Sequence, residues 1–290
     1  MTQLRAGYYV FLGACCYGNL STITKLGFAQ GYSPADLLSS STLLGCLLLW
    51  LYTLPKIQKI KVIPARTIVF LIIVGSIWGL TDIFYSITIK NLPASLAVIL
   101  LFQFTWISQI VYMIQKRTWL TIYQWIALAS VLFGTFLAAD YHTNQLAYIN
   151  WLGFAFGVCS AISYTASIFI SDTVGLKIHS SIRSTLIVTG QLMLIWIIFP
   201  PTFLFTSAFA NGLWIWAGLL GLVGIFVTTI TYTKGIPHIG TSLAGILGSI
   251  ELPMVLLLAS WILHEQVGIS QWVGVFFILV GIYISSRSSY

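Results

Sequence analysis

The sequence predicts an all-α integral membrane protein with ten transmembrane helices, organised as two inverted-topology repeats of five helices each. Its 290 residues are 58% hydrophobic and only 7% charged, whereas a soluble domain carries about 25% charged residues. Apolar segments of about 20 residues, the length that crosses a bilayer, follow one another along the chain. A shift of 147 residues also superposes parts of the second half on the first. These observations exclude a water-soluble enzyme and a disordered chain.

Apolar segments bounded by charges, proline or glycine define the predicted helices, which we number as spans 1 to 10. At the usual length of a membrane-spanning helix they use about 210 residues and leave only loops and short ends. No extramembrane domain of ordinary size fits in the remainder, so the function must lie among the helices. The spans cover residues 7–28, 35–54, 67–89, 94–114, 120–139, 150–171, 184–200, 213–235, 241–263 and 269–286.

Basic residues between the spans indicate the orientation of the chain. With the N-terminus in the cytoplasm, all of the 13 Lys and Arg residues except Lys25 and Lys90 fall on the cytoplasmic side. Because cytoplasmic loops carry an excess of Lys and Arg, this distribution predicts cytoplasmic termini and an even number of spans. The positive net charge therefore indicates a multi-pass protein of the plasma membrane or cell inner membrane rather than a nucleic-acid-binding protein.

The internal repeat divides the chain into residues 1–146 and 147–290, each with five predicted helices. Since five is an odd number, the second repeat enters the membrane from the opposite side. Inverted repeats are typical of secondary transporters, in which two related halves exchange conformations to open one side or the other. The matched positions include Gln124-Trp125 with Gln271-Trp272, Tyr85 with Tyr232, and Tyr17 with Tyr164.

Several short motifs occur in order along the chain. They are Tyr17-Gly18-Asn19 followed by Lys25 in span 1, then Glu251-Leu252-Pro253, Glu265, Gln271-Trp272-x-Gly274 and Gly281 in the last two spans and the loop between them. Over essentially the whole chain, this order resembles the EamA-type family of the drug/metabolite transporter superfamily. The first half departs from the family pattern, because Trp106 stands in place of a proline and Lys116-Arg117 stands near the usual glutamate.

The resemblance implies a ten-helix carrier and not an enzyme. It implies a cavity lined mainly by spans 1, 3, 4, 6, 8 and 9, with spans 5 and 10 at the periphery. Members of the family mostly export amino acids, amines and other small metabolites, so the resemblance implies transport more firmly than it implies a substrate.

Two of the six acidic residues, Asp82 and Glu251, lie deep inside predicted spans. A carboxylate near the bilayer centre costs about 2.5–3.5 kcal/mol, so it normally faces a partner, a cavity or a proton path. Pro253 interrupts the helix beside Glu251 and can widen a cavity there. We expect Glu251 to bind substrate or carry protons; the alternative is a buried acid hydrogen-bonded to a neighbouring helix. The other acids, at helix ends where water or headgroups can solvate them, are Asp36, Asp140, Asp172 and Glu265.

Asp82 shares one face of its helix with aromatic residues. Trp78 and Tyr85 lie four residues before it and three residues after it, a spacing that places all three side chains on one side. A carboxylate between aromatic rings can bind an organic cation. The alternative is a packing stripe in which the acid pairs with a helix dipole, Lys25 or Lys90.

Other residues of the predicted spans are weaker candidates for the substrate site. The repeat matches Tyr17 with Tyr164, which we expect to face the cavity, and Asn19 belongs to the same motif as Tyr17. In span 4, Gln103 and Trp106 are expected to contact substrate, with interhelical hydrogen bonding as the alternative for the amide. Lys25, near the outer end of span 1, either extends to the membrane surface or neutralises a carboxylate.

These features predict a secondary transporter that moves a small organic metabolite by alternating access, as a proton-coupled exporter or antiporter. Asp82 and Glu251 are the expected proton-coupling residues, and their charge favours an amino acid, an amine or another organic cation. The expected partners are the small-molecule substrate and the lipid bilayer, without nucleic acid, cofactor or metal, in a monomer or homodimer. Two alternatives stay open: an intramembrane enzyme that uses both acids, and a membrane subunit or receptor that transports nothing.

Overall fold

The computed structural model describes residues 2–117, 119, 121–138, 150–171, 174–175 and 178–288. Within them the backbone forms helices and no strand, as the predicted all-α fold class requires. The expected boundary between the repeats, at residues 146 and 147, lies outside the described residues, as do Asp140 and Asp172. The helices are α1 (Gln3–Ala29), α2 (Pro34–Thr53), α3 (Ala65–Asn91), α4 (Ala94–Leu101), α5 (Phe104–Lys116), α6 (Ile122–Ala138), α7 (Trp151–Ser171), α8 (Ser180–Ile198), α9 (Trp214–Leu219), α10 (Thr228–Gly248), α11 (Glu251–Trp261) and α12 (Ile269–Ser288).

Shorter helical pieces connect these helices. A 3₁₀ segment, Leu54–Val62, follows α2 and a 3₁₀ turn, Thr202–Leu204, follows α8. Two π-helical segments, Phe209–Leu213 and Leu220–Val227, flank α9. Predicted span 8 is therefore a composite of α9, a π-helical segment and the beginning of α10.

Many of the helices have the apolar composition of membrane spans. By length and composition, five helical segments among the described residues can cross a membrane, and four shorter helices are also apolar. The chain is thus consistent with an all-α membrane protein. The long segments are Pro34–Val62, Ala65–Asn91, Trp151–Ile170, Ser180–Ile198 and Phe209–Ile236, and the shorter ones are Ala94–Ser108, Ile122–Leu137, Glu251–Trp261 and Ile269–Ile284.

The start of α2 shows why an acid stands at that helix end. Ser33 Oγ accepts a hydrogen bond from the backbone N–H of Asp36, and Asp36 Oδ2 accepts one from the backbone N–H of Ser33. With Pro34 in the first turn, this is a complete capping box, which satisfies donors that the helix leaves unpaired. Asp36 therefore stabilises the helix end.

Two predicted spans are interrupted at equivalent positions. Span 4 is divided between α4 and α5 at residues 102–103, and span 9 between α10 and α11 at residues 249–250. A shift of 147 residues superposes the two breaks. The boundary expected between spans 8 and 9, at residues 236–240, lies instead inside α10. Glu251 is consequently the first residue of a helix and does not lie in the middle of one.

The break between α4 and α5 forms without a proline, and Gln103 explains it. The backbone N–H of Gln103 bonds to the carbonyl of Leu100, which leaves the carbonyl of Ile99 without its usual donor. Gln103 Nε2 donates to that carbonyl at 2.8 Å and to Thr135 Oγ1 at 2.9 Å. Trp106 Nε1 donates to Gln103 Oε1 at 2.8 Å. The side chains of Gln103 and Trp106 therefore satisfy the broken backbone and fix it against α6.

Glycines let α3 and α8 meet at their backbones. A Cβ atom on Gly75 would overlap the carbonyl oxygen of Ile187, and a Cβ atom on Gly190 would overlap the carbonyl oxygen of Ile72. At Gly79 a Cβ atom would lie 2.9 Å from the carbonyl oxygen of Gln191. Three glycines thus make this crossing possible, and no larger residue fits without moving one helix.

Helices α6 and α12 pack against each other away from the other close crossings. Ser130 Oγ donates to the carbonyl of Phe277 at 2.7 Å. A Cβ atom on Gly134 would lie 2.5 Å from the carbonyl oxygen of Gly274, and one on Gly281 would lie 2.8 Å from that of Ala127. The repeat-matched glycines 134 and 281 therefore serve close helix packing.

Glu265 joins three elements and is not solvated as expected. Its side chain is 14% exposed, and its Oε1 accepts hydrogen bonds from Lys25 Nζ at 3.0 Å and from the backbone N–H of Ala94 at 2.8 Å. Its Oε2 accepts from the backbone N–H of Ser95 at 3.2 Å and from Ser95 Oγ at 2.9 Å. Lys25 is thus the counter-charge of a carboxylate that caps α4 and ties it to α1.

Replacing Gly75 or Gly190 by alanine is predicted to destabilise the protein, because the added methyl group overlaps the backbone of the opposite helix. Overpacking of this kind costs about 1–3 kcal/mol. Thermal unfolding of the purified protein in detergent measures the effect. Gly218→Ala is the matched control, since no atom lies within 4 Å of its Cβ position. Equal melting temperatures for all three variants would contradict the close crossing.

Glu265→Gln is predicted to lower the free energy of unfolding at neutral pH by about 1.5–3 kcal/mol, the range for a hydrogen bond to a charged group. Burial opposes ionisation, but the Lys25 ammonium and the N–H groups of Ala94 and Ser95 outweigh it and lower the pKa of Glu265 below its ordinary value of 4.5. Its contribution is therefore present above the ordinary pKa and is lost as the pH falls through the lowered pKa of the folded state.

The melting temperatures of the wild type and E265Q should accordingly differ at neutral pH and converge as the pH falls below the lowered pKa of Glu265 in the folded protein. Lys25→Met should cause a similar loss, and the two substitutions together should cost less than the sum of the single losses. A difference that persists unchanged to the lowest accessible pH would show that the charge of Glu265 contributes nothing.

Candidate functional site

A cavity of about 420 Å³ lies between helices of both halves of the chain. Its lining residues come from α1, α2, α3, α7, α8, the segment Leu220–Val227, α10 and the start of α11. This volume is in the range of small-molecule sites, about 300–1,000 Å³. The residues described in α4, α5, α6 and α12 do not line it.

The walls of the cavity differ from those implied by the family resemblance. Spans 1, 3, 6, 8 and 9 contribute as expected, but span 4 does not, and spans 2 and 7 take part through α2 and α8. The two candidates on span 4 have other partners, because Gln103 and Trp106 bond to each other and Gln103 also bonds to Thr135 of α6. Spans 5 and 10, as α6 and α12, lie away from the lining.

Six of the nine side chains that the sequence analysis proposed for the substrate site line this cavity. Three of them share one face of α3 through their helical spacing, and the internal repeat matches two others on α1 and α7. The six residues are Tyr17, Trp78, Asp82, Tyr85, Tyr164 and Glu251.

Three proposed side chains lie elsewhere. Asn19 is on α1, but its Nδ2 donates to the carbonyl of Cys15 at 2.7 Å, within its own helix. Gln103 is 7% exposed and is engaged at the break between α4 and α5, where it also holds Trp106. Backbone carbonyls of Cys15 and Ile99, the Thr135 hydroxyl and the bond between Gln103 and Trp106 therefore occupy the hydrogen-bonding atoms of these three side chains.

Asp82 is held by an amide from α8. Gln191 Nε2 donates a hydrogen bond to Asp82 Oδ2. The helices approach closely at Gly79, next to Gln191, and this proximity brings the two side chains together. Lys25 binds Glu265 instead, and no ion pair joins Lys90 to Asp82 among the described residues. The ion pair of Asp82 with a lysine, which belonged to the alternative of a packing stripe, is therefore absent from the described part of the chain.

Glu251 is largely buried but faces the cavity, with 8% of the residue exposed. It opens α11 directly after the break at residues 249–250. Helix α1 packs against its backbone, since a Cβ atom on Gly18 would lie 3.2 Å from the carbonyl oxygen of Glu251. Within the residues that the structure describes, the Glu251 carboxylate forms no hydrogen bond and no ion pair. A hydrogen bond to a neighbouring helix, the structural alternative, is not observed there.

Four tyrosines line the cavity as two pairs matched by the internal repeat, Tyr17 with Tyr164 and Tyr85 with Tyr232. The ring centroids of Trp78 and Tyr164 are 5.0 Å apart at an interplanar angle of 86°. This edge-to-face contact joins α3 to α7 and leaves aromatic surface on the cavity wall. An organic cation can be stabilised by such rings.

The sequence analysis missed Gln191, Tyr232 and Arg183 as lining residues. Arg183, Ile187 and Gln191 are separated by four residues each and all line the cavity. This spacing places the three side chains on one face of α8, so the sequence could have predicted that they line the same surface. The repeat also matched Tyr232 with Tyr85 without assigning it a role.

The two ends of the cavity differ in exposure. Leu37 and Leu220 are 1% and 5% exposed, and they pack with Phe203 in one hydrophobic cluster. Phe203 follows the end of α8, whereas the exposed residue Ser180 begins α8 at the opposite end. The lining is therefore buried at the end near the Leu37 cluster, whereas Ser180 at the opposite end is exposed.

The lining offers two carboxylates, tyrosine hydroxyls, an amide and a guanidinium. Such groups can bind a charged organic molecule and exchange protons with it. Among the described residues there is no group of three or more His, Cys, Asp or Glu side chains that can hold a metal ion.

Comparisons with known proteins agree with this architecture. A solved structure, titled only "Crystal structure of protein", has a TM-score of 0.67 and 14% identity, over 99% of this chain and 98% of its own. At that identity the likeness shows a shared fold. No curated protein matches the sequence. The model of the EamA-like transporter family matches residues 151–287, which contain α7 to α12 and Glu251. The chain is therefore a multi-pass membrane protein whose residues 151–287 match the EamA-like transporter family, the family that the motifs predicted.

Proposed function

We propose that the protein is a secondary transporter that exports a small amine, amino acid or other organic cation by proton-coupled alternating access. The family match over residues 151–287 supports transport as the activity. The cavity supports it as well, because helices of both halves form its walls. Movement of one half against the other then opens and closes the site.

We further propose that the ten spans form two inverted repeats, residues 1–146 and 147–290. A shift of 147 residues maps α1 onto α7, α2 onto α8 and α6 onto α12. Contacts follow the same mapping. Helix α1 packs against α10, whose beginning belongs to span 8, and its equivalent α7 packs against α3, the helix of the matching span 3. The equivalent helix breaks at residues 102–103 and 249–250 add support.

The state of Glu251 is the observation that carries the proposal. A carboxylate inside a membrane costs about 2.5–3.5 kcal/mol unless something compensates it. Glu251 is 8% exposed, lines the cavity and has no partner among the described residues. The start of α11 favours its charge only weakly, so we propose that a proton or the positive charge of a substrate in the cavity compensates it.

The two acids are suited to different roles. Gln191 donates to Asp82, and a donated hydrogen bond favours the charged form of a carboxylate. Asp82, with Trp78 and Tyr85 on the same helix face, is therefore proposed to bind the cation. Glu251 has no such donor in the described residues, so we assign it the exchange of a proton.

The exposed end of the cavity lining, at Ser180, suggests the side from which substrate is loaded. The distribution of Lys and Arg places the beginning of α8 on the cytoplasmic side. Because Ser180 is exposed there while Leu37 and Leu220 are buried at the other end, we propose that this conformation faces the cytoplasm. Loading from the cytoplasm is what an exporter requires.

The alternative functions gain less from the geometry. An intramembrane enzyme needs Asp82 and Glu251 to act together, but no hydrogen bond joins them in the described residues and Asp82 is engaged with Gln191. A subunit without transport has no use for a cavity with two carboxylates. The arrangement favours transport over both.

Glu251→Gln is predicted to lower proton-driven flux of amines or amino acids by about tenfold or more, which corresponds to at least 1.4 kcal/mol. The amide cannot exchange a proton, whereas Glu251→Asp keeps the acid and should retain part of the flux. Substrates are first found by thermal stabilisation of the purified protein with amines, amino acids and polyamines. Flux is then measured in proteoliposomes with and without a pH gradient.

Melting temperatures close to that of the wild type are the control for both variants. If E251Q transports every identified substrate with the wild-type rate and the wild-type dependence on the pH gradient, the proton-coupling role of Glu251 is refuted.

A further inference from the structure

Among the described lining residues, one wall of the cavity carries no charged or aromatic side chain. This wall belongs to α2 and to residues 220–228, which pack against each other. Asp82 and Trp78 lie on α3, which packs most extensively against α8 and α7, and Glu251 begins α11. We name the uncharged surface the apolar wall. It consists of Leu37, Leu38, Ser41, Thr42, Leu220, Gly224, Ile225 and Thr228.

The hydroxyl groups of the apolar wall already donate hydrogen bonds within their own helices. Ser41 Oγ donates to the carbonyl of Leu38 at 3.2 Å, and Thr42 Oγ1 donates to the same carbonyl at 2.7 Å. Thr228 Oγ1 donates to the carbonyl of Val223 at 2.9 Å. Since a hydroxyl group has only one proton, none of the three can donate to a ligand. The wall therefore offers a ligand mainly aliphatic surface, against which a polar group would lose its water without full replacement.

A contact between α2 and α8 gives the distance from this wall to the proposed cation site. Trp196 Nε1 on α8 donates to the carbonyl of Ser39, the neighbour of Leu38 on α2, at 3.4 Å. Gln191, which holds Asp82, precedes Trp196 by five residues. Five residues of an α-helix rise by about 7.5 Å. The wall at Leu38 therefore lies about that far from Asp82 along the axis, toward the buried end of the lining.

We propose that the substrate is an amphipathic monoamine, with its ammonium group bound by Asp82 and its apolar chain packed against the apolar wall. This proposal rests on the proposed transport function and specifies its substrate class. The second ammonium group of a diamine finds no carboxylate on the wall, because none of the described wall residues is charged. A single positive charge at Asp82 also leaves Glu251 to exchange its proton.

The proposal is tested with three amines of equal chain length on the purified full-length protein. The probes are n-hexylamine, 5-aminopentanol and cadaverine, whose far ends are a methyl group, a hydroxyl group and a second ammonium group. Calorimetry measures their affinities, with protein-free detergent micelles as the reference. n-Hexylamine should bind most tightly. 5-Aminopentanol should bind about tenfold more weakly, because its hydroxyl group leaves water for an aliphatic surface, and cadaverine should bind more weakly still.

Leu38→Asn places an amide of similar size on the apolar wall and should abolish most of the preference for n-hexylamine over 5-aminopentanol. Leu47→Asn is the matched control and should keep that preference. Leu47 lies on the same helix, is 50% exposed and does not line the cavity. Melting temperatures show whether both variants are folded, and the three amines on the wild type decide the question if L38N is not.

Equal or tighter binding of 5-aminopentanol or cadaverine by the wild type would overturn the proposal, as would binding of none of the three amines. A folded L38N with the same preference as L47N would also overturn it. The transport proposal is judged separately. It survives those outcomes if another solute shows proton-driven flux that depends on Glu251, and it fails if no solute does.

Discussion

The cost of burying a carboxylate without a partner constrains this molecule more than any other interaction. Two other carboxylates are compensated within the protein: Gln191 donates to Asp82, and Lys25 with the start of α4 neutralises Glu265. Glu251 has no such compensation in the described residues and faces a cavity. A proton or a substrate cation must supply it. A cation bound by Asp82 and a proton on Glu251 then disfavour each other within one cavity, which is a direct physical basis for coupled exchange.

The rest of the fold keeps that carboxylate on the cavity wall. The break before α11 places Glu251 at a helix start, and α1 packs against its backbone through Gly18. The glycine crossing of α3 and α8 fixes Asp82 beside Gln191. The end near the Leu37 cluster is buried by apolar packing, and Ser180 is exposed at the other end. Alternating access requires the buried end to become exposed and the exposed end to become buried. The helix contacts that hold Asp82 and Glu251 must be kept during this change.

The sequence allowed the membrane fold and most of the candidate site to be predicted, because rare charges in apolar segments are easy to interpret. Asp82 and Glu251 were identified for that reason, and Trp78 and Tyr85 followed from helical spacing. Gln103 and Trp106 were misplaced, since no sequence pattern shows that a side-chain amide will replace a backbone donor at a helix break. Glu265 looked solvated because its partners at Lys25 and Ala94 are distant in sequence. Gln191 lacked a role until α8 was placed against α3.

Proton release on ligand binding is the most direct measurement of competition at Glu251. The purified protein is mixed with a stabilising amine or zwitterion in weakly buffered detergent solution near neutral pH, and a pH indicator records the protons released. Binding to the wild type should release protons, because the ligand's positive charge in the cavity disfavours the proton on Glu251. Binding to E251Q should release none. Equal release from both proteins, or binding to the wild type without release, would contradict proton exchange at Glu251.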